Sequence, residues 1–419
     1  MVAADQELLP SISDGRDISE YQILGQDAVC LKFVSDIDSM VSAPGYHPEF
    51  VHQHFGERET ITGYKNLRIT IYYTDRSLYF WPKIEHEGVI SEKFPDLVAD
   101  DIMLKMKENL PDWHFECMVG SLQEFKKRLD DQKEPTMPEG DQVGAVKRDD
   151  KIFNIFKVKS EDRSDAFDLL VTRAQTISLW YIDAADFTDN SDWRFDFFFL
   201  YEVVEAEGTK EKIYKVAGYA VMCNYHMSIE KMRPRFAHIM LLPQYRSGGI
   251  GACFLSELDK HFTADSTIVD VTAETPADSF LYVRDYVDCS RCEKLPEFST
   301  EKVKGEFTVE MRDAARKQLK IHAKQARRVY EILRYKNTDW KNPAEIKKFT
   351  AMVKTRLERP MKKNLGRWSA QDGCGLSEEE RAVVAQGDAN QPEQIEALYQ
   401  QTVEEYKKTI ARLNTYGPV

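Results

Sequence analysis

Ile239-Met240-Leu241-Leu242-Pro243-Gln244-Tyr245-Arg246-Ser247-Gly248-Gly249-Ile250-Gly251-Ala252 reads as a buried strand, a tight glycine-rich turn and the start of a helix. The apolar residues Ile250, Phe254, Leu255, Leu258 and Phe262 follow at helical spacing, so one face of that helix is buried. A strand that feeds glycines into a helix N-terminus builds an anion site from backbone N–H groups and the helix dipole. The plainer reading is a sharp strand–helix connection, and in isolation the glycines serve either. Two other phosphate motifs are excluded. No Gly-Lys-Ser/Thr triplet occurs, as a P-loop requires. A dinucleotide fingerprint needs a glycine where Phe254 stands.

Outward from this turn, Thr267 to Ala273 reads as a second strand and ends in Glu274. A carboxylate at the end of a strand beside an anion-binding turn is placed to act as a base. Arg246-x-x-Gly249-x-Gly251 matches the Arg/Gln-x-x-Gly-x-Gly/Ala pattern of the GNAT superfamily of N-acetyltransferases. The chain as a whole resembles the catalytic subunits of the type B histone acetyltransferases. The segments that carry the resemblance are Phe55-Gly56-Glu57-Arg58-Glu59-Thr60 with Gly63-Tyr64-Lys65, Gly218-Tyr219, Asn224-Tyr225, Arg233-Pro234-Arg235, Asp270 to Glu274 with Pro276, Arg284-Asp285, and Ala326 to Arg334.

The resemblance implies an acetyl-CoA-dependent lysine acetyltransferase acting on the N-terminal tail of newly synthesised, non-nucleosomal histone H4, presented with H3. It implies Glu274 as general base and Asp183 as a second acid near the lysine. The backbone of Ile239, Met240 and Leu241 would pair with the pantetheine arm, the Leu241 N–H would face the oxyanion, and Arg246, Ser247, Gly248, Gly249, Ile250, Gly251 and Ala252 would wrap the pyrophosphate. Substrate contacts fall on Glu57, Arg58 and Glu59, on Cys223, Asn224 and Tyr225, and on Trp193, which also reads as a core aromatic of a Phe-rich strand. Three departures stand out: Thr275 where a second acid follows the base, Asp183 where Glu is expected, and Cys223 where an aromatic is expected. A WD-repeat histone chaperone is the expected partner, and nucleus and cytoplasm the expected location. A related acetyltransferase with another amine substrate, a weakly active histone-binding scaffold and a generic acyl-CoA-binding protein are the alternatives.

Composition sets the bounds. The 419 residues suggest two or three domains, and 42% hydrophobic residues suffice for real cores. No apolar run reaches membrane-spanning length, and the acidic start Met1 to Glu7 carries no signal-like hydrophobic stretch. Seven cysteines without an export signal argue for reduced thiols. Cys289-x-x-Cys292 lacks a second ligand pair, so it reads as structural and no metal is expected. The net charge of −13 hides a division: Asp313 to Trp368 holds 17 Lys/Arg against 5 Asp/Glu, leaving −25 on the remainder. An acidic body suits a basic histone tail, though acidity also serves plain solubility. The basic segment around Arg327-Arg328 reads as a helix packed by Val329, Ile332 and Leu333 with solvated arginines, the alternative being a contact surface for nucleic acid or an acidic chaperone; direct nucleic-acid binding is not expected.

The fold class follows as α+β: a mixed-sheet acetyltransferase core with an α/β N-terminal domain and a helical C-terminal region. The expected divisions are a flexible 1–17, an N-terminal substrate-binding domain at 18–135, an acetyl-CoA-binding domain at 136–290 and a helical region at 291–419. Strands are expected at Leu67–Tyr73, Phe153–Val158, Trp193–Val204 and Lys215–Tyr225. Helices are expected at Asp101–Leu110, Asp162–Asp183, Lys317–Arg334, Pro343–Arg359 and Ser377–Leu413, the last opened by a Ser377/Glu380 capping box. Gln132–Asp150 reads as a linker or long loop, and Met361–Gly375 as looser chain. The Asp183, Asp186, Asp189, Asp192 and Asp196 series reads either as a solvated loop or as an acidic mouth for lysine.

Overall fold

The computed structural model describes residues 16–134, 136–189, 191–206, 208, 210–371 and 391–418, with the backbone alone for 360–371. Two compact units emerge. The first comprises the chain up to Cys223 together with Ala237–Gly248, and the second Asn224–Phe236 together with the chain from Gly249 onward.

The first unit opens with a three-stranded sheet of β1 (Val29–Val34), β2 (Arg68–Thr74) and β3 (Phe80–Glu85), in which β2 runs parallel to β1 and antiparallel to β3. Val29, Leu31, Ile69, Ile71 and Tyr73 are fully buried in it. Arg16, at the edge of the described chain, is fixed by two 2.8 Å hydrogen bonds to Asp96.

The larger sheet begins with β4 (Asp141–Arg148), β5 (Lys151–Val158), β6 (Phe195–Glu205), β7 (Lys212–Ser228) and β8 (Lys231–Leu241), neighbours in chain order. The expected linker is therefore corrected: its second half is β4, hairpinned onto β5. Gly140, at φ +92°, makes this geometry, since a Cβ there would lie 2.2 Å from the Lys157 carbonyl. Its turn-rich composition hid a strand whose exposed face is polar. In β6, Phe197, Phe198, Phe199 and Leu200 are all fully buried, which marks a central strand covered on both faces.

Helix α1 (Asp165–Tyr181) is capped by Ser164, whose hydroxyl accepts the Phe167 N–H at 3.1 Å. Every residue from Val171 to Tyr181 is buried. Phe167 sets its ring edge-on to Phe197 and Phe199, with centroids 5.9 and 5.4 Å away. Each such aromatic, fully buried, contributes about 1.5–3 kcal/mol.

In the second unit, α2 (Ile250–Ala264) packs Phe262 against Phe236 of β8. The expected strand Thr267–Ala273 is corrected to β9 (Thr272–Ala273), parallel to β8, preceded by single bridges at Ile268 and Val271. α3 (Asp278–Cys292) follows, and its Arg291 binds Asp259 of α2 at 2.7 Å. The expected helix Lys317–Arg334 is in fact two, α4 (Val309–Leu319) and α5 (Ala323–Lys336), broken where Lys320 adopts φ +58°. Arg291 also donates to the Leu319 carbonyl at 2.9 Å, satisfying an end group that the break exposes.

α6 (Pro343–Gln371) extends past Met361 into the stretch expected to be looser, whose remainder, 372–375, lies outside the described residues. One glycine costs about 1 kcal/mol in a helix, too little to end a run of good helix formers. α7 (Gln391–Tyr416) closes the chain, and the Ser377/Glu380 cap lies outside the described residues. Glu331 of α5, wholly buried, takes hydrogen bonds from Arg327, Arg356 and Tyr406 at 2.8–3.0 Å and so ties α5, α6 and α7 together. The Arg327-Arg328 basic run is internal wiring: Arg328 binds Asp285 at 2.7 Å and Glu405 at 2.8 Å.

Candidate active site

β8 ends at Leu241, and the next N–H, of Leu242, donates to the Ala217 carbonyl at 2.9 Å. Gly218 lets the two strands meet there, because a Cβ would lie 2.4 Å from the Met240 carbonyl oxygen. A turn at Pro243–Tyr245 follows, anchored by the Tyr245 hydroxyl donating to Glu202 at 2.7 Å. The Arg246 side chain folds back. Its Nε donates to the Leu241 carbonyl at 3.1 Å, its guanidinium pairs with Glu49, and it stacks 4.4 Å from the Tyr181 ring centre. Arg246 is expected at the pyrophosphate turn; in the fold its side chain is held at the end of β8 while its backbone enters the turn.

Ser247 then takes φ +67°, and Gly249 takes φ +80° as the N-cap of α2. Among the described residues, the N–H groups of Ser247, Gly248, Gly249, Ile250 and Gly251 have no acceptor; the first to be used are those of Ala252 and Cys253, both on the Gly249 carbonyl. The first turn of α2 holds no acidic residue to compete for them. Unused donors in succession at the head of a helix suit an anionic phosphate. His238, one residue before the expected pantetheine strand, buries its Nδ1 with no partner, and burial pulls its pKa down to about 4.

In the second unit, the Glu274 N–H donates to the Phe236 carbonyl at 3.0 Å, continuing β9. Thr275 at φ +33° then turns the chain away, and the Glu274 side chain is 54% exposed. It is not alone. Arg235 places its Nη1 3.8 Å from the carboxylate and stacks 4.5 Å from the Tyr225 ring centre. Tyr225, Arg235 and Glu274 form one row, with Asn224 half-buried beside Tyr225 in the chain. The signal was present in Arg233-Pro234-Arg235: residues two apart on a strand share a face. Each arginine meets an acid of the neighbouring segment, Arg233 on buried Asp270 at 2.5 Å and Arg235 on Glu274.

In the first unit, Glu57 and Arg58 lie exposed at a turn formed by Gly56 at φ +74° and Glu59 at φ +52°. No motif or spacing singles out His52. Its Nδ1 lies 3.7 Å from Glu59 and its Nε2 3.3 Å from Asp183, so one imidazole joins two expected site acids. The rest of the aspartate series is taken up locally. Asp189 accepts from Ser191, Asp192 from Arg194, and Asp196 pairs with Lys157 at 2.9 Å. The Ser191 and Arg194 contacts hold the Asp189 and Asp192 carboxyls below their usual range. Trp193 is 65% exposed, outside the Phe-rich core, while Cys223 is buried opposite Phe195. Among the described residues no three His, Cys, Asp or Glu side chains form a metal-binding group. Burial pushes the Cys289 and Cys292 thiols well up.

A family model described as the histone acetyl transferase HAT1 N-terminus matches residues 21–183, and one for the C-terminal part of the histone acetyltransferase type B catalytic subunit matches residues 284–335. The histone acetyltransferase type B catalytic subunit of Homo sapiens is 30% identical over 403 residues, 95% of either chain. This chain belongs to the type B histone acetyltransferase catalytic subunits. The Candida albicans relative of the same name is 26% identical over 303 residues, 70% of this chain and 71% of its own. The protein is accordingly a histone acetyltransferase, and its family implies acetyl-CoA as acetyl donor. The α+β architecture with a mixed sheet accords with an acetyltransferase fold.

Proposed function

We propose that this type B acetyltransferase moves the acetyl group of acetyl-CoA onto N-terminal tail lysines of newly synthesised, non-nucleosomal histone H4, using a GNAT-type core. The observation that carries the reading is the run of unused N–H groups from Ser247 to Gly251, opening a helix directly after a strand, in a chain of this family. Those groups, with Arg246 and Ala252, hold the pyrophosphate, while Ile239, Met240 and Leu241 align the pantetheine arm along β8.

A lysine ammonium, with an ordinary pKa near about 10.4, must lose a proton before it attacks the thioester. Glu274 takes that proton, directly or through one water. The amine adds to the carbonyl carbon, the Leu241 N–H stabilises the oxyanion, and collapse expels the CoA thiolate. Thiols have an ordinary pKa near about 8.5, so the leaving group requires no strong acid. Asp183 supplies negative charge at the lysine entrance, and Glu57, Arg58, Glu59, Cys223, Asn224, Tyr225 and Trp193 read the tail. The 18–135 region acts as the substrate-binding domain. A WD-repeat histone chaperone presents H4 with H3, and the enzyme works in both nucleus and cytoplasm.

The deciding measurement compares acetylation of an H4 tail peptide with that of unrelated peptides and polyamines, and of free H3–H4 with nucleosomes. Strong preference for the H4 peptide and free histones is expected. Equal turnover of the unrelated amines would overturn the substrate assignment. Tight H4 binding without turnover would point instead to a scaffold.

A further inference from the structure

The segment Glu49–Glu59 is clamped onto the end of α1 and the loop after it. The N–H groups of Glu49 and Phe50 both donate to the Trp180 carbonyl, at 2.9 and 3.0 Å. The Gln53 side-chain amide donates to the Ala185 carbonyl at 2.8 Å. The buried His54 ring stacks on Trp180 with centroids 4.0 Å apart. At the other end, the Gly25 N–H holds the Glu59 carbonyl at 2.7 Å, fixing the turn that carries φ +52°. Amid these fixed points stands His52, one ring nitrogen toward Glu59 and the other toward Asp183.

We propose that His52 is a positioning residue: it holds Glu59 and Asp183 as a single paired-acid element that receives the substrate's lysine side chain. Two carboxylates only accept hydrogen bonds and repel each other, so nothing in their own chemistry keeps them together. Asp183 is 69% and Glu59 41% exposed, so without the ring each turns to solvent. An imidazole has one nitrogen for each acid, and its protonated form carries an N–H on each. Its backbone is fixed by the clamp, so the acids are referred to α1 rather than to mobile side chains. This inference rests on the proposed role of Asp183 at the lysine entrance.

Asparagine and glutamine separate this role from a merely structural one. Glutamine at position 52 puts an amide near the Nε2 position, facing Asp183; asparagine puts one near Nδ1, facing Glu59. The experiment is steady-state kinetics on purified core histones for H52A, H52N, H52Q, D183N and the doubles H52A/D183N, H52N/D183N and H52Q/D183N, with thermal melts and acetyl-CoA binding alongside. His52→Ala should lower kcat/KM for histone roughly 3- to 30-fold, between the loss of an exposed ion pair and that of a misplaced reacting group. Acetyl-CoA affinity should not change. His52→Gln should recover more activity than His52→Asn, and this advantage should vanish with Asp183→Asn, where His52→Ala should also cost little more. If D183N costs activity but the His52 effect simply adds to it, the inference falls while the role of Asp183 stands. If D183N has no effect alone, the role of Asp183 falls and the inference with it. H52Q and H52N, which keep a polar side chain of similar reach, carry the test should H52A melt early.

Discussion

Arg235 holds its guanidinium 3.8 Å from the Glu274 carboxylate. The proposed base therefore sits in a row with a cation that is itself stacked on Tyr225. Exposed pairs of this kind contribute little to folding, about 0–1 kcal/mol. Loss of the carboxylate should be felt in the chemistry and hardly at all in the fold.

Glu274→Gln should accordingly keep acetyl-CoA affinity and melting temperature while lowering kcat about 100- to 10,000-fold, the usual cost of removing a general base. The deficit should shrink at high pH, where free amine is present. Undiminished turnover at pH 7 would take Glu274 out of the mechanism.

Gly249→Val should act on the donor instead. At φ +80° a β-branched residue is strained by about 1–3 kcal/mol, and its side chain obstructs phosphate approach to the N–H groups on either side. A large rise in KM for acetyl-CoA is expected, with histone KM little changed. Calorimetry showing normal acetyl-CoA binding by a folded variant would place the pyrophosphate elsewhere.

Glu57→Gln/Glu59→Gln tests tail reading. Histone-tail KM should climb with salt in the unaltered enzyme, since screening at 0.15 M acts over about 8 Å, and the double variant should flatten that dependence. Glu57→Gln alone, assayed on the tail and on a minimal lysine substrate, is the control, because Glu57 lies outside the Glu59–Asp183 pair and should not affect the minimal substrate. Equal losses on both substrates would mean that the turn supports the fold and does not read histone.

Acid should weaken the first unit through His54. Its buried ring is stacked on Trp180, and burial pulls its pKa to about 4 from an ordinary 6.5. Between those values the unfolded chain binds a proton that the folded chain refuses. The contribution is thus present above pH 6.5 and lost as pH falls towards 4, by about 1.4 kcal/mol per pH unit and about 3 kcal/mol in all. His54→Phe keeps an aromatic ring on Trp180 and removes the proton site, so urea midpoints at pH 7 and 4.5 should lie closer together in the variant. An unchanged gap would locate the acid sensitivity elsewhere.

Glu331→Ala should be the costly change in the second unit. It strips the acceptor from Arg327, Arg356 and the Tyr406 hydroxyl at a wholly buried position, a type of loss worth about 3–5 kcal/mol. Urea unfolding measures it directly. A cost below about 1 kcal/mol would show that water replaces the missing carboxylate.

The sequence by itself determined whatever rests on local order. The strand, glycine turn and helix from Ile239 to Phe262 are where the residues placed them, because apolar period and glycine position act within a few residues. The aromatic, Phe-rich strand and the family were legible for the same reason. Local signals misled where distant partners decide: β4 looked like a loop until paired with β5, and Lys320 broke a continuous helical pattern because Arg291 caps the end it exposes.

Only the tertiary structure decided which side chains face which acids. His52 is 131 positions from Asp183, Arg235 is 39 from Glu274, and Arg246 is 197 from Glu49. No periodicity or spacing rule reaches across such separations. Charges meet there because the backbone has already been fixed by burial, and burial is a sum over the whole core that no single segment of sequence contains.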